Sequence, residues 1–446
     1  MGTRLTELTA EQKHYLEKAY RLVDQNRLVD LLVNMINIPS RTGEEEDLAR
    51  FMVDYIAGLG LEAFYQHMSE RRGNAIGRLR GSGSGPTLMF NGHLDTSWTG
   101  VEVEDYPMTG PLPPALRPHA VVEDGWVKGL GARNMKGPDA CTVMAVDAVK
   151  RAGAPLKGDV LLTLVSGEIQ KVQIQAALHS YSGRHFMGEG IGCDFMLKHG
   201  VQADFAINVE PGHPVSYECT GLCWFKVQAK GRMTYAGVAG TEPTAKNAIV
   251  EMSKLAIDLD QWGREYTQRH ARDQLAPTVT IGAIEAGWPF KPGMMPGICN
   301  LYVDVRTLPE QRPLEVEREF AQALEGIMAK HPGLEVEYEL YLSDPASRTD
   351  PDNWIVQSLI RGYEHVSGQK HVYRTRSAGA NDCNVLRRWG IPTAQLGPGA
   401  PSVAEGGPPY HVGEWSHIQR MVNVTKMYIH AIIDTCMRAR AEVGLG

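Results

Sequence analysis

Thr87-Leu88-Met89-Phe90-Asn91-Gly92-His93-Leu94-Asp95-Thr96 is the stretch that decides the fold. It opens with a short apolar run, the length of a buried strand. It ends in polar residues, with a histidine and an aspartate two positions apart. The same pattern recurs twice. Val160-Leu161-Leu162-Thr163-Leu164-Val165 runs into Ser166-Gly167-Glu168, and Phe205-Ala206-Ile207-Asn208-Val209 runs into Glu210-Pro211. Strands apolar on both sides belong to a largely parallel sheet covered by helices, such as the one expected over 140–152. Open α/β sheets bind ligands just past the C-terminal ends of their strands. His93, Asp95, Glu168 and Glu210 all fall there.

Outward from this centre, residues 9–38 carry helical apolar spacing (Leu16, Tyr20, Leu28, Leu31, Leu32, Met35), and Pro39 stops the helix. Thr42 followed by Glu45 reads as the capping box of a second helix. A strand is expected over 74–79, and Arg71 and Arg72 are expected to be solvated. The pattern changes between 217 and 342. Strands at 223–229, 278–283 and 299–306 surround helices at 245–259 and 314–330, which is a smaller α+β insert. From 343 the α/β pattern resumes, with a helix at 353–365 and a last one at 416–438. The expected organisation is one mostly parallel α/β domain made of 1–216 and 343–446, interrupted by an insert at 217–342.

The chain has 446 residues, with 45 Lys plus Arg against 52 Asp plus Glu, for a net charge of −7. That balance argues against a nucleic acid as the main partner. No apolar run approaches the ~20 residues of a membrane helix. Residues 1–15 are polar and hold no apolar core of a secretory signal, so a cytoplasmic location is expected. The seven cysteines are scattered and form no CxxC pair, which disfavours a thiolate zinc site and suits reduced thiols.

Aspartate beside a metal-bound histidine can take the far ring nitrogen and fix the tautomer. Two carboxylates at neighbouring strand ends turn the His93-Asp95 pair into a metal or acid/base cluster. Gly129-Leu130-Gly131 through Met135-Lys136-Gly137 is glycine-rich and precedes a helix, but the phosphate-loop spacing GxGxxG is absent. His411 follows Gly397-Pro398-Gly399.

Taken in order, Asn91 to Thr96, Gly129 to Gly137, Val209-Glu210-Pro211, Gly397-Pro398-Gly399, and His411 with Glu414 resemble the M20 metallopeptidase and amidohydrolase family. The resemblance runs from about Arg27 to Met437. It implies an α/β catalytic domain with an α+β lid that often dimerises, hence a homodimer through the lid. It implies two metal ions sharing a bridging aspartate. One ion takes His93 and Glu210, the other the second glutamate of a DEE motif and the late histidine, His411. Glu168 is then the general base, and Asp95 supports His93.

The sequence departs from that pattern at three positions. Asn134 stands at the bridging aspartate, Ile169 at the second glutamate, and Tyr235 where relatives carry an oxyanion-stabilising histidine. A neutral amide cannot offset two divalent cations. The expectation is therefore one metal per chain, Mn²⁺, Zn²⁺ or Fe²⁺, on His93 and Glu210, with Asn134 beside it and His411 a further ligand. Asp139, one turn into the following helix, is a substitute candidate. Arg306, Arg374, Arg376 and Asn381 match loops where relatives hold a substrate carboxylate, a task suited to arginine. Ile169 and Trp98 give the pocket an apolar, aromatic lining.

The reading that follows is a metal-dependent hydrolase of a C–N bond in a small non-peptide substrate. The resemblance extends to family aminohydrolases that replace an aromatic amine with water, such as nitroanthranilate aminohydrolase. The alternatives are an N-acyl amino acid deacylase or carboxypeptidase-like peptidase, and a metal-poor ligand-binding pseudoenzyme.

Overall fold

The computed structural model describes residues 7–174, 187–212, 214–272, 275–373, 379–399, 409 and 412–446. Arg374, Arg376 and His411 lie outside them. The central sheet has six strands in the order Glu62–Ser69, Arg72–Leu79, Val160–Val165, Leu88–His93, Phe205–Asn208, Thr393–Gln395. The first two pairings are antiparallel and the next three parallel. The parallel half is the part with continuous apolar runs, because helices bury both of its faces. Leu88 and Phe90 pack into the large core with helices Lys136–Ala152 and Ile418–Cys436. Met89 points the other way, into a smaller core with helix Ile191–Lys198 and Leu386.

The insert is a second layered unit. Its antiparallel sheet runs Val279–Ala286, Ile298–Thr307, Gly221–Lys230, Glu335–Asp344. Helices Ala248–His270 and Pro313–Lys330 cover one face around a separate core, in which Phe225 stacks on Phe320 with ring centroids 4.0 Å apart. Two short strands, Glu218–Cys219 and Ser347–Arg348, pair where the chain enters and leaves the insert. No helix among the described residues is long and apolar enough to cross a membrane.

Four local expectations are corrected, the last of them the solvation of Arg72. The single helix over 9–38 is two, Ala10–Arg21 and Gln25–Ile36. The break falls at Asp24, whose carboxylate accepts from the amides of Asn26 and Arg27 and so caps the second helix. The strand expected from residue 74 starts at Arg72 and pairs with Glu62–Ser69 as a hairpin. The Thr42-Glu45 capping box does not form: helix Glu46–Gly58 has no side-chain cap. The Thr42 hydroxyl instead donates to Asp95 Oδ2 at 2.8 Å.

Glu45 is spent on Arg72. The guanidinium grips the carboxylate through Nε at 3.0 Å and Nη2 at 2.9 Å, and donates to the Met187 carbonyl at 2.6 Å. Arg72 is thus buried, not solvated, while Arg71 is exposed. Burial and the nearby Asp95 push the Glu45 carboxyl up to about 7, against the pull of Arg72. Removing the cation leaves a buried carboxylate alone. Arg72→Ala is therefore expected to cost roughly 3–5 kcal/mol. Denaturant unfolding of the two proteins measures it, and an unchanged midpoint would show that the pair contributes nothing.

Candidate active site

Three strands deliver the site from their C-terminal ends. His93 is the last residue of Leu88–His93, Glu168 follows Val160–Val165, and Glu210 follows Phe205–Asn208. Gly167, at φ +70, turns the chain so that Glu168 comes back over the sheet edge. His93 Nε2 lies 3.4 Å from Glu168 Oε2 and 3.5 Å from Glu210 Oε1. One ligand atom from each of these three buried side chains lies within 4.8 Å of the others, an arrangement that can hold a metal ion.

Asp95 orders this cluster. The His93 Nδ1 is 2.9 Å from the Asp95 carbonyl and 3.3 Å from its Oδ1. With Nδ1 as the donor, Nε2 carries the lone pair. The Asp95 carboxylate also accepts from Thr42 and from the amides of Glu168 at 3.1 Å and Ile169 at 3.2 Å. Burial disfavours its charge, but His93, Thr42 and the Glu168 amide prevail and hold it at about 2.

Burial likewise opposes charge on His93, and Glu168, Asp95 and Glu210 outweigh it and hold the imidazole well above its ordinary range. Burial first, then Glu210, pushes Glu168 well above the carboxylate range, and burial raises Glu210. A proton and a metal ion compete for the same acceptors, so a cation here would reverse these preferences. Within the described residues, His93 Nε2 and Asn134 Oδ1 are buried and have no hydrogen-bond partner. These orphaned acceptors fit a cation.

Asn134 precedes helix Lys136–Ala152. Its amide donates to Glu414 Oε2 at 2.9 Å, and the Arg133 amide reaches the same oxygen at 3.3 Å. Ile169 is half-buried beside Glu168, and Trp98 is half-buried after the Asp95 turn, with its carbonyl accepting from Thr96. A cavity of about 720 Å³ is lined in part by Arg133 and Pro211, neighbours in sequence of Asn134 and Glu210, and by Gly399 and Arg420, and not by His93, Glu168, Ile169 or Trp98.

A row of polar side chains that the sequence reading missed supports the cluster. Thr163, Asn91, Asn208 and Gln395 are register partners on four adjacent parallel strands. Asn91 accepts from Thr163 and donates to Asn208 at 3.0 Å and to Asp382 at 2.9 Å. Asn381 completes the row, accepting from Asn208 at 3.2 Å and donating to Gln395 at 3.1 Å. The signal was present: each polar residue sits near the end of an otherwise apolar strand. Two further residues stand on the insert. Tyr235 is 57% exposed, on a two-stranded ladder with Met294–Met295. Arg306 donates through Nε and Nη2 to Asp304, with Nη1 buried.

Known proteins share this architecture. The chain is 24% identical to an N-formyl-4-amino-5-aminomethyl-2-methylpyrimidine deformylase of Halalkalibacterium halodurans, over 96% of this chain and 99% of that protein. It is 25% identical to a succinyl-diaminopimelate desuccinylase of Gluconacetobacter diazotrophicus, over 82% and 87% of the two chains. The crystal structure of human carnosine dipeptidase 1 superimposes with a TM-score of 0.71 at 14% identity, covering 94% of this chain and 98% of that one. The family model described as Peptidase family M20/M25/M40 matches residues 89–434, and the chain with its strand-end His93, Glu168 and Glu210 belongs to that family.

Proposed function

We propose that this protein hydrolyses a C–N bond, an amide first of all, in a small-molecule substrate, using one divalent metal ion. The observation that carries this reading is the buried acceptor set of His93, Glu168 and Glu210. The activities of the relatives, deformylase and desuccinylase, support an acyl amide over a peptide chain.

His93 and Glu210 are the assigned ligands, with Asn134 beside them and His411 a further candidate. The bound ion would supply Lewis acidity and make water a nucleophile near neutral pH. Glu168 takes the proton of the attacking water and returns it to the departing nitrogen. Asp95 keeps His93 in the ligating tautomer. Trp98 and Ile169 are assigned to the substrate pocket, and Arg306, Arg374 and Arg376 to the substrate's polar end, whereas the Asn381 amide is spent on Asn208 and Gln395. Tyr235 reaches the reacting carbonyl only through lid closure or from a second subunit. The apolar Ile169, beside the base, also favours a second substrate class, an aromatic amine replaced by water.

With Asn134 and Ile169 in place of two carboxylates, about one metal ion per chain is expected. Elemental analysis after loading with Mn²⁺, Zn²⁺ or Fe²⁺ measures it. Two tightly held ions would overturn the single-metal reading, and none would favour a ligand-binding role. Glu168→Gln is expected to lower kcat by roughly 10²–10⁴-fold, the range for loss of a general base. The same variant should still bind substrate or product in calorimetry. Equal turnover in wild type and variant would remove Glu168 from the mechanism.

The lid carries a surface suited to a second copy of the chain. Ile249, Val250 and Ile257 on its first helix are exposed, as is Ile284 on the open edge strand Val279–Ala286. Burying such side chains is favourable. We expect a homodimer, weakened by Ile257→Asp. Sedimentation equilibrium that gives a monomer for the wild type would refute it.

A further inference from the structure

Lysine 136 and aspartate 139 sit in the first turn of helix Lys136–Ala152, directly after Asn134, and both are fully buried. The two meet different fates. The Lys136 ammonium donates to the carbonyls of Met35 and Ile38, each at 2.9 Å, and so caps the end of helix Gln25–Ile36. Neither oxygen of the Asp139 carboxylate has a hydrogen-bond partner among the described residues. A buried carboxylate without donors is costly, and a fold tolerates one where a cation balances it.

The position of that carboxylate is informative. It lies against Gly92, the residue before His93, so closely that a Cβ there would stand 1.9 Å from Asp139 Oδ1. Only glycine fits. Burial pushes the Asp139 carboxyl well above its ordinary range; the charges of His93 and Lys136 oppose that and the charge of Glu210 adds to it. Its oxygens are not among the three ligand atoms that gather within 4.8 Å. Asp139 is thus placed behind the cluster, one residue from its histidine. Asn134 Oδ1, His93 Nε2 and both Asp139 oxygens are all buried acceptors without donors. Acceptors alone cannot satisfy one another, whereas a cation held among the His93, Glu168 and Glu210 ligand atoms takes the His93 Nε2 lone pair and offsets the Asp139 charge from outside its reach.

We propose that Asp139 is a positioning residue for the metal centre: from outside the ligand set, its carboxylate supplies the negative charge that position 134, as asparagine, lacks. This inference rests on the metal site of the preceding section. It assigns the charge balance of a single-metal centre to a residue that the family motifs do not contain. Removing such a charge is expected to weaken metal binding by roughly tenfold or more, as loss of an outer-shell partner does.

Four proteins test it: wild type, Asp139→Asn, Asn134→Asp and the double variant, each titrated with Mn²⁺ alone in equilibrium dialysis. Asp139→Asn should bind Mn²⁺ roughly tenfold more weakly, and adding Asn134→Asp should recover most of that loss. Asp139→Leu guards against a folding artefact. It should raise the melting temperature of the metal-free protein while lowering Mn²⁺ affinity, opposite signs that a merely structural role would not produce. Unchanged affinity in Asp139→Asn, or no recovery in the double variant, overturns the inference. If wild type itself binds no Mn²⁺, Zn²⁺ or Fe²⁺, it is the metal centre that fails. If wild type binds and Asp139→Asn binds equally, only the role of Asp139 fails.

Discussion

The Asp95 carboxylate is the constraint on which the site depends. It is fully buried, and the side chain or backbone around it comes from three separate stretches of chain: the hydroxyl of Thr42, the histidine two residues before it, and the amides of Glu168 and Ile169. Each bond fixes something different. The bond to Thr42 ties the loop before helix Glu46–Gly58 to the sheet edge. The contact with His93 sets the ring orientation. The two amide bonds hold the backbone that presents Glu168. A buried anion must be surrounded by donors, and meeting that demand brings His93 and Glu168 within 3.4 Å of each other.

Beneath Asp95 lies a second polar layer. Thr163, Asn91, Asn208 and Gln395 cross four strands in register, and Asn381 and Asp382 close the row from the loop before helix Cys383–Arg388. Buried amides are stable only when their donors and acceptors are matched. This row therefore pins the loop at 379–382 to the strand ends. Gln170 adds a tie from the Glu168 segment to the Ala380 carbonyl at 2.6 Å. The site sits on a hydrogen-bonded floor rather than on apolar packing alone.

Electrostatics then set what the site accepts. His93 is ringed by Asp95, Glu168 and Glu210, with Asp139 and Asp382 behind, and all five acids are buried. The Lys136 ammonium is occupied by the carbonyls of Met35 and Ile38, and the Lys171 ammonium, which acts on Asp95, donates to the Thr96 carbonyl at 3.5 Å. Excess negative charge in a dry setting either takes up protons or binds a metal ion. The first outcome is seen in the direction of every shifted carboxyl there except Asp95, which has donors on all sides. The second is the chemistry that the M20 fold has at its strand ends.

The sequence by itself determined the layers and the chemistry at the strand ends. Continuous apolar runs ending in His93, Glu168 and Glu210 leave few alternatives, because a strand buried on both faces cannot hide polar groups except at its ends. The α+β insert was legible for the same reason, since its strands and helices carry their own periodicity. Tertiary structure decided how the polar residues are spent. Thr42 and Glu45 have the spacing of a helix cap, yet Asp95 and Arg72, distant in sequence, bind them more strongly than a solvated helix end can. Asp24 broke an apparently continuous helix because its carboxylate found free amides at the break. Asp139 read as a substitute ligand, and only the packing of its helix against Gly92 put its charge behind His93, outside the ligand set. Apolar periodicity is local and can be read along the chain. Hydrogen bonds and charge balance join residues that the sequence keeps apart, so they exist only once the fold has brought them together.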